Sequence, residues 1–321
     1  MQILGNAFYA VIFVSVIGSA FCVLSLLLNH ILRCTLPLWF PICGMILFCF
    51  PLLSPDVLIF SPEKQEWLHG FYIACRIWIY GCGAFFICKV IRSALARKAI
   101  KAYSPCGDAR LNNTCSRCAS AIGLEKFPVL YWGALDTPIC VTGAIRPIII
   151  MDKAIIKQLT DKELSAVFYH ELTHIKLKHL LLERFYDCVC ILNWFNPFAW
   201  IAKGDFSLHC ETDCDFNVLK STQGKLTETE YASAIFRLLE LSATQAAKSG
   251  NGVGALDFLM TKRRIRRITT KKSKVRDRLI AAVLVVFLAV TMIFSQQFSR
   301  QYFYPYPACN VGIEYSTGYN Q

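Results

Sequence analysis

Charge is what this sequence has least of. Charged side chains make up 17% of its 321 residues and hydrophobic ones 55%, with a mean hydropathy of +0.42. Those proportions argue against an ordinary soluble enzyme, a disordered tail protein and a secreted disulfide scaffold. The shortage is also local. No charged residue occurs from Met1 to Leu32, and none in the 20 residues from Leu279 to Phe298. About 20 apolar residues suffice to cross a bilayer, and four stretches qualify: Leu4 to Leu28, Thr35 to Leu53, Gly70 to Ile91 and Leu279 to Phe298. No basic residue precedes the first, so a cleaved signal peptide is not expected. The second carries Pro37, Pro41 and Pro51, which membrane helices accommodate and soluble ones tolerate badly, and should be kinked. Arg76 and Lys89 interrupt the third with no acidic partner nearby in sequence, and are expected to snorkel to opposite interfaces.

The charge that is present is concentrated. Between Arg92 and Arg278 lie 29 of the 34 basic and 18 of the 22 acidic residues, which marks this segment as a domain. Its flanks, Arg92 to Lys101 and the run Lys262 to Arg278 with ten Lys or Arg against one Asp, should face the cytoplasm. Both termini and the loop Ser54 to His69 then face outward. Such a run beside a membrane span fits anionic lipid headgroups better than nucleic acid. Sixteen cysteines are present, but Cys22, Cys34, Cys43, Cys49, Cys75 and Cys82 fall in or beside apolar stretches, where cysteine packs as a small hydrophobe. Most of the rest belong to the cytoplasmic segment, a reducing environment.

Within that segment, His170-Glu171-Leu172-Thr173-His174 is HExxH. On a helix this pattern sets both imidazoles on one face, where they can share a zinc ion, with the glutamate placed to take a proton from polarised water. Shuffling the chain would produce it by accident in about 0.4% of cases, so chance is a weak competitor. The helix itself is signalled by the capping box Thr160-Asp161-Lys162-Glu163 and the stripe Leu164, Val167, Phe168, Leu172 and Ile175. A catalytic zinc needs a third protein ligand. The densest source is His209-Cys210-Glu211-Thr212-Asp213-Cys214-Asp215, in which Glu211 is the best candidate, with His209 and Cys214 as alternatives. Asp215, one helical turn on, suits the outer N–H of a metal-bound histidine.

Convergence of His174 and Glu211 on one ion constrains the chain between them. The apolar stretch Cys188 to Ile201 must leave and return on the same side, so a helical hairpin is expected near residues 180–203, turned at Asn196-Pro197 and packed on or dipping into the bilayer.

Taken in order, His170 to His174, Asn193-Trp-Phe-Asn-Pro-Phe-Ala-Trp200 and Glu211-Thr-Asp-Cys-Asp215 with Val218-Leu219 resemble the BlaR/MecR family of integral-membrane zinc peptidases. So does Thr137-Pro-Ile-Cys-Val-Thr-Gly-Ala-Ile-Arg-Pro147 before the zinc helix. The resemblance implies a gluzincin-type site: His170, His174 and Glu211 holding one Zn2+, Glu171 as general base and Asp215 orienting a ligand. It also implies signalling that inactivates a winged-helix repressor of BlaI/MecI type, often with self-cleavage. Family sensors carry a large extracellular penicillin-binding domain after the last span, and the tail Ser299 to Gln321 holds none; Tyr302, Phe303, Tyr304 and Tyr306 resemble an interfacial aromatic belt. His179 stands where family members often carry an acidic residue.

Other segments read more plainly. Pro128 to Ile150 reads as short strands, whose edge could receive a peptide substrate. Cys115 and Cys118 form a lone CxxC, read as two reduced thiols in a loop rather than a structural zinc site. A capping box at Thr227 to Glu230 starts a helix expected to reach about Ala243, with Tyr231, Ile235, Leu238 and Leu239 inward, followed by a flexible stretch Gln245 to Gly254. The whole reads as a mainly α membrane protein of the bacterial inner membrane: three spans in residues 1–91, a cytoplasmic α+β zinc peptidase domain in 92–278, a fourth span in 279–298 and an outer tail in 299–321. Its expected partners are a polypeptide substrate and lipid, with a homodimer possible and no direct nucleic-acid contact. A quality-control membrane protease and a non-catalytic zinc-containing scaffold are the rival readings.

Overall fold

The computed structural model describes residues 65–249 apart from 134–136, 223 and 225, together with scattered helical positions between 12 and 45 and between 279 and 290. The first, second and fourth expected spans, the basic run and the tail lie wholly or largely outside the described residues.

The continuous part begins with α1, Gln65–Lys101, a single helix of 37 residues. It contains the third expected span and does not break after Ile91. Among the described residues one helical stretch is long and apolar enough to cross a membrane, Ile73–Lys101 of α1. At 1.5 Å per residue its 29 residues extend about 44 Å, well beyond a hydrocarbon core of about 30 Å. Its large apolar side chains, among them Ile77, Phe86, Ile87 and Ile91, face outward.

After α1 the chain forms β1 (Ser104–Pro105), α2 (Ala109–Ala121), β2 (Val129–Trp132), β3 (Ile139–Thr142) and β4 (Ile148–Met151). Four helices follow a short α3 (Lys153–Ile156): α4 (Asp161–Lys176), α5 (His179–Leu192), α6 (Pro197–Ser221) and α7 (Glu228–Ser249). The molecule is thus mostly helical with one small mixed sheet in the order β1-β2-β4-β3. Strand β4 runs parallel to β2 and antiparallel to β3, pairing Ile148 with Thr142 and Met151 with Ile139. Gly143, at φ +89°, makes the turn after β3; a Cβ there would meet the Arg146 carbonyl at 2.5 Å.

Helix α4 is the hub, with α2, α5, α6, α7 and β3 all packed on it. Its start follows from sequence: the Thr160 side chain accepts from Glu163 N, and Glu163 returns a bond from Thr160 N at 2.8 Å. Leu164, Val167, Phe168 and Leu172 then enter a core with Ile149, Met151 and Ile156. Cys115 and Cys118 are not in a loop. Both lie on the inward face of α2, whose N-cap Asp108 accepts from Arg110 N, and they fill this same core beside Leu111 and Ala119. Burial first, then the neighbouring Cys118 thiol, push Cys115 up to about 12, so it is an inert core side chain. Helix α7 also exceeds its expected end at Ala243. The continuation Thr244-Gln-Ala-Ala-Lys-Ser249 is made of residues a helix tolerates well, and Gly250 is the first that is not.

The expected hairpin is present as α5 and α6, joined through Asn193 to Asn196. Asn196 caps α6 by accepting from Phe198 N, and Pro197 occupies the first turn, where a missing N–H costs nothing. The Asn196 amide also donates to Ser15 O at 3.2 Å and Ser19 Oγ at 2.9 Å, and Met45 packs with Tyr186, Val189 and Phe206. The hairpin therefore touches positions from both the first and the second apolar stretches. On α1, the Trp78 indole donates to Leu192 O at 2.8 Å, and Trp194 donates to Trp78 O at 3.2 Å. Gly81 is where Trp194 comes closest, since any Cβ there would strike the indole.

Lys89 departs from the sequence reading. It does not snorkel without a partner but pairs at 2.7 Å with Asp187 of α5, a half-turn of charge that also holds Lys203 and Arg184. Ninety-eight residues separate the pair in sequence, which is why local inspection finds no acid near Lys89. Removing the Asp187 charge leaves three cations facing one another, though each is partly solvated. Asp187→Asn should cost about 1–3 kcal/mol, read as a lowered thermal midpoint of the purified protein in detergent; an unchanged midpoint would show that the cluster contributes nothing.

Candidate metal centre

Helices α4 and α6 bring together the residues that sequence singled out. His170 and His174, one turn apart on α4, have their Nε2 atoms 3.2 Å from each other. Glu211 on α6 closes the triangle, Oε2 at 3.2 Å from His170 Nε2 and Oε1 at 3.3 Å from His174 Nε2. Donor atoms around a tetrahedral zinc, each about 2.0–2.1 Å from the ion, stand roughly 3.3 Å apart. The donor set thus fits Zn2+ in chemistry and in spacing, and leaves one side of the triangle for a fourth ligand.

Behind the triangle lies a relay that sequence only half revealed. Tyr231 of α7 donates its hydroxyl to Asp215 Oδ1 at 2.7 Å, and its oxygen lies 2.9 Å from His170 Nδ1. With the hydroxyl proton committed to Asp215, His170 Nδ1 must carry the proton it shares with the tyrosine oxygen. That tautomer leaves the Nε2 lone pair directed at the triangle, as metal ligation requires. Asp215 Oδ1 also lies 3.3 Å from His170 Nδ1, with the Tyr231 hydroxyl in contact with both, so the structure brings Asp215 to the outer nitrogen of His170. The helical stripe in the sequence places Tyr231 inward but names no partner for it; the signal that points to one is a hydroxyl amid alanines and isoleucine on a buried face.

Glu171 follows His170 on α4 and is half-buried. Its helix packs on β3, where burial first, then the Glu171 charge, push the Cys140 thiol up to about 11. Of the alternative ligands, His209 is not brought to the triangle. It lies buried with Nε2 3.5 Å from Asp205 Oδ2 on its own helix. Cys214 is nearby but faces His179, its Sγ 3.3 Å from Nδ1.

The relay predicts an effect separable from folding. Tyr231→Phe should keep the core intact, since the ring remains, yet weaken Zn2+ affinity about 10–100-fold, measured by competition with a chromophoric chelator. Unchanged affinity would mean that Asp215 alone sets the tautomer.

Comparison with known proteins meets this geometry. The chain is 29% identical over 154 residues to the methicillin resistance mecR1 protein of Staphylococcus aureus, covering 46% of this chain and 25% of that protein. It is 26% identical over 189 residues to regulatory protein BlaR1 of Bacillus licheniformis, covering 59% of this chain and 31% of that one. The chain thus aligns with between a quarter and a third of these relatives' lengths. A family model described as BlaR1 peptidase M56 matches residues 60–268, a span that begins before α1 and takes in the sheet, both histidines, Glu171, Glu211 and the Asp215–Tyr231 relay. By that match over more than half of its length, the chain belongs to the BlaR1 peptidase M56 family.

Proposed function

We propose that this protein is a membrane-embedded zinc endopeptidase acting on the cytoplasmic side of the inner membrane, in signalling that inactivates a transcriptional repressor. The observation that carries the reading is the donor triangle of His170, His174 and Glu211 with the relay behind it. When bound there, zinc would act as a Lewis acid on the scissile carbonyl and lower the pKa of water at the site. Glu171, a half-buried carboxylate next to His170 on the same helix, would serve as the general base that takes a proton from water and as the acid that returns it to the leaving amine.

The sheet supplies a place for substrate. Strand β3 ends the order β1-β2-β4-β3, so among the described residues its outer edge carries no strand. A polypeptide laid along that edge would add a strand by main-chain hydrogen bonds, largely independent of its side chains, and the packing of β3 on α4, the helix that carries Glu171, supports this use of the edge. The four-span topology, the gluzincin assignment of the domain, contact of the basic run with anionic lipid and a repressor of BlaI/MecI type as substrate all belong to this reading. The apolar outer face of α1 and the hairpin's contacts with Ser15, Ser19 and Met45 support an active site held at the membrane surface.

The test uses the full chain in lipid, zinc-loaded, with the cognate repressor and an unfolded protein as substrates. Glu171→Gln should retain one zinc and lose cleavage by a factor on the order of 10²–10⁴. A variant that cleaves as fast as the wild type would remove Glu171 from the mechanism. Cleavage of the unfolded protein but never of the repressor would replace signalling with quality control.

A further inference from the structure

His174 has two histidine neighbours, not one. Its ring lies edge-on to His170 at 4.8 Å between centroids and edge-on to His179 at 5.3 Å. His179 opens α5 directly after Lys178, which stands in the left-handed region at φ 56°. That single left-handed residue turns the chain between α4 and α5 and brings the second imidazole beside the first. Across from His179 is Cys214 of α6, its Sγ 3.3 Å from Nδ1, and both side chains are essentially fully buried. One ligand atom from each of His174, His179 and Cys214 falls within 4.8 Å of the other two.

The far side of His179 completes the pattern. Its Nε2 is buried without a hydrogen bond, and the nearest opposite charge is Asp213 Oδ2 at 3.5 Å. A histidine that ligates through one nitrogen usually directs the other at a carboxylate. His179 is so arranged, with Nδ1 toward the thiol and Nε2 toward Asp213, as His170 is arranged between Glu211 and Asp215. Helix α6 thereby presents two donor pairs in five residues: Glu211 and Asp215 to one imidazole, Cys214 and Asp213 to the other.

We propose that His174, His179 and Cys214 form a second position for a soft or borderline divalent cation such as Zn2+, sharing His174 with the His170–His174–Glu211 position and therefore exclusive of it. A neutral imidazole has one lone pair to give, so one ion per chain occupies either the carboxylate-containing or the thiolate-containing set. Entry into the second set forms an S–metal bond as the Cys214 S–H proton passes to solvent, with no change of oxidation state. Two imidazoles and a thiolate favour zinc or cadmium over magnesium or manganese. An ion so placed leaves His170 and Glu211 short of their third donor. Only this consequence for cleavage rests on the proposed function; the site itself does not.

Cobalt(II) separates the two positions, because only thiolate ligation gives a strong near-ultraviolet charge-transfer band. The full chain in detergent is titrated with Co2+ as wild type, Glu211→Gln, Cys214→Ser and the double variant. The expected result is about one Co2+ per chain, a charge-transfer band in the wild type that rises at least twofold in Glu211→Gln, and loss of that band in both backgrounds on Cys214→Ser. Retained visible d–d absorption in Cys214→Ser would show that this variant is folded and still binds through its histidines, and His179→Gln offers an independent second disruption. A band of equal intensity with and without Cys214, or no band in Glu211→Gln, overturns the proposal. Proteolytic assays are not needed, so an inactive wild type would leave this result unaffected.

Discussion

Three electron-rich groups, two imidazoles and a carboxylate whose facing atoms lie 3.2–3.3 Å apart, repel one another unless a proton or a metal cation stands between them. Much of the domain can be understood as the apparatus that holds them there. Helix α4 is anchored at its start by a reciprocal capping box and along its length by a core of Leu164, Phe168 and Leu172. Helix α6 is aimed by the Asn196 cap and Pro197, and it packs back on α4 as the second arm of the hairpin. The relay through Tyr231 adds what packing cannot, the choice of tautomer at His170. Zinc binding in small structural sites amounts to apparent free energies of about 10–16 kcal/mol, larger than most single-residue contributions to folding. A donor triangle that is costly while empty can therefore still be strongly favourable when filled.

The same hairpin connects the triangle to α1 and to positions of the first two apolar stretches. Its tip meets Ser15 and Ser19, its flank meets Met45, and its first arm is fastened to α1 by indole hydrogen bonds and by the ion pair of Lys89 with Asp187. Since α6 runs unbroken from Pro197 at that tip to Glu211, Cys214 and Asp215, a displacement of α1 relative to the hairpin would reach the donors through one rigid helix. A charge pair between α1 and the hairpin is a better fixed point than apolar contact alone, because sliding it apart takes Lys89 from a largely buried carboxylate.

Much of this was legible in the sequence because the relevant signals are local. HExxH, the capping boxes at Thr160 and Thr227, the Asn-Pro turn and the strand-like run before α4 each occupy a few consecutive residues, and each is found where expected. What escaped depends on contacts between distant segments. Asp187 lies 98 residues from Lys89, and Tyr231 lies 61 residues from the His170 ring whose proton it fixes. Cys115 and Cys118 were placed in a loop because a CxxC suggests one. Their i, i+3 spacing equally describes the buried stripe of an amphipathic helix, and the Asp108 cap decides for the helix.

His179 shows why a substitution in a known pattern needs the fold before it acquires meaning. In sequence it is a histidine five residues past HExxH, out of phase with both His170 and His174 on any continuous helix. The helix is not continuous. Lys178 breaks it with a left-handed residue at an expense of order 1–3 kcal/mol, and the break, not the periodicity, sets His179 against His174. Had α4 simply run on, residue 179 would have sat on a different face and Cys214 would have been one more buried thiol. With the break, a thiol, an imidazole and an outer carboxylate converge on the one histidine that the Glu211 set already uses. Two donor sets that share a ligand cannot both be full. The competition between carboxylate and thiolate for a single ion is then a property of the backbone turn at Lys178, and only secondarily of the side chains it delivers.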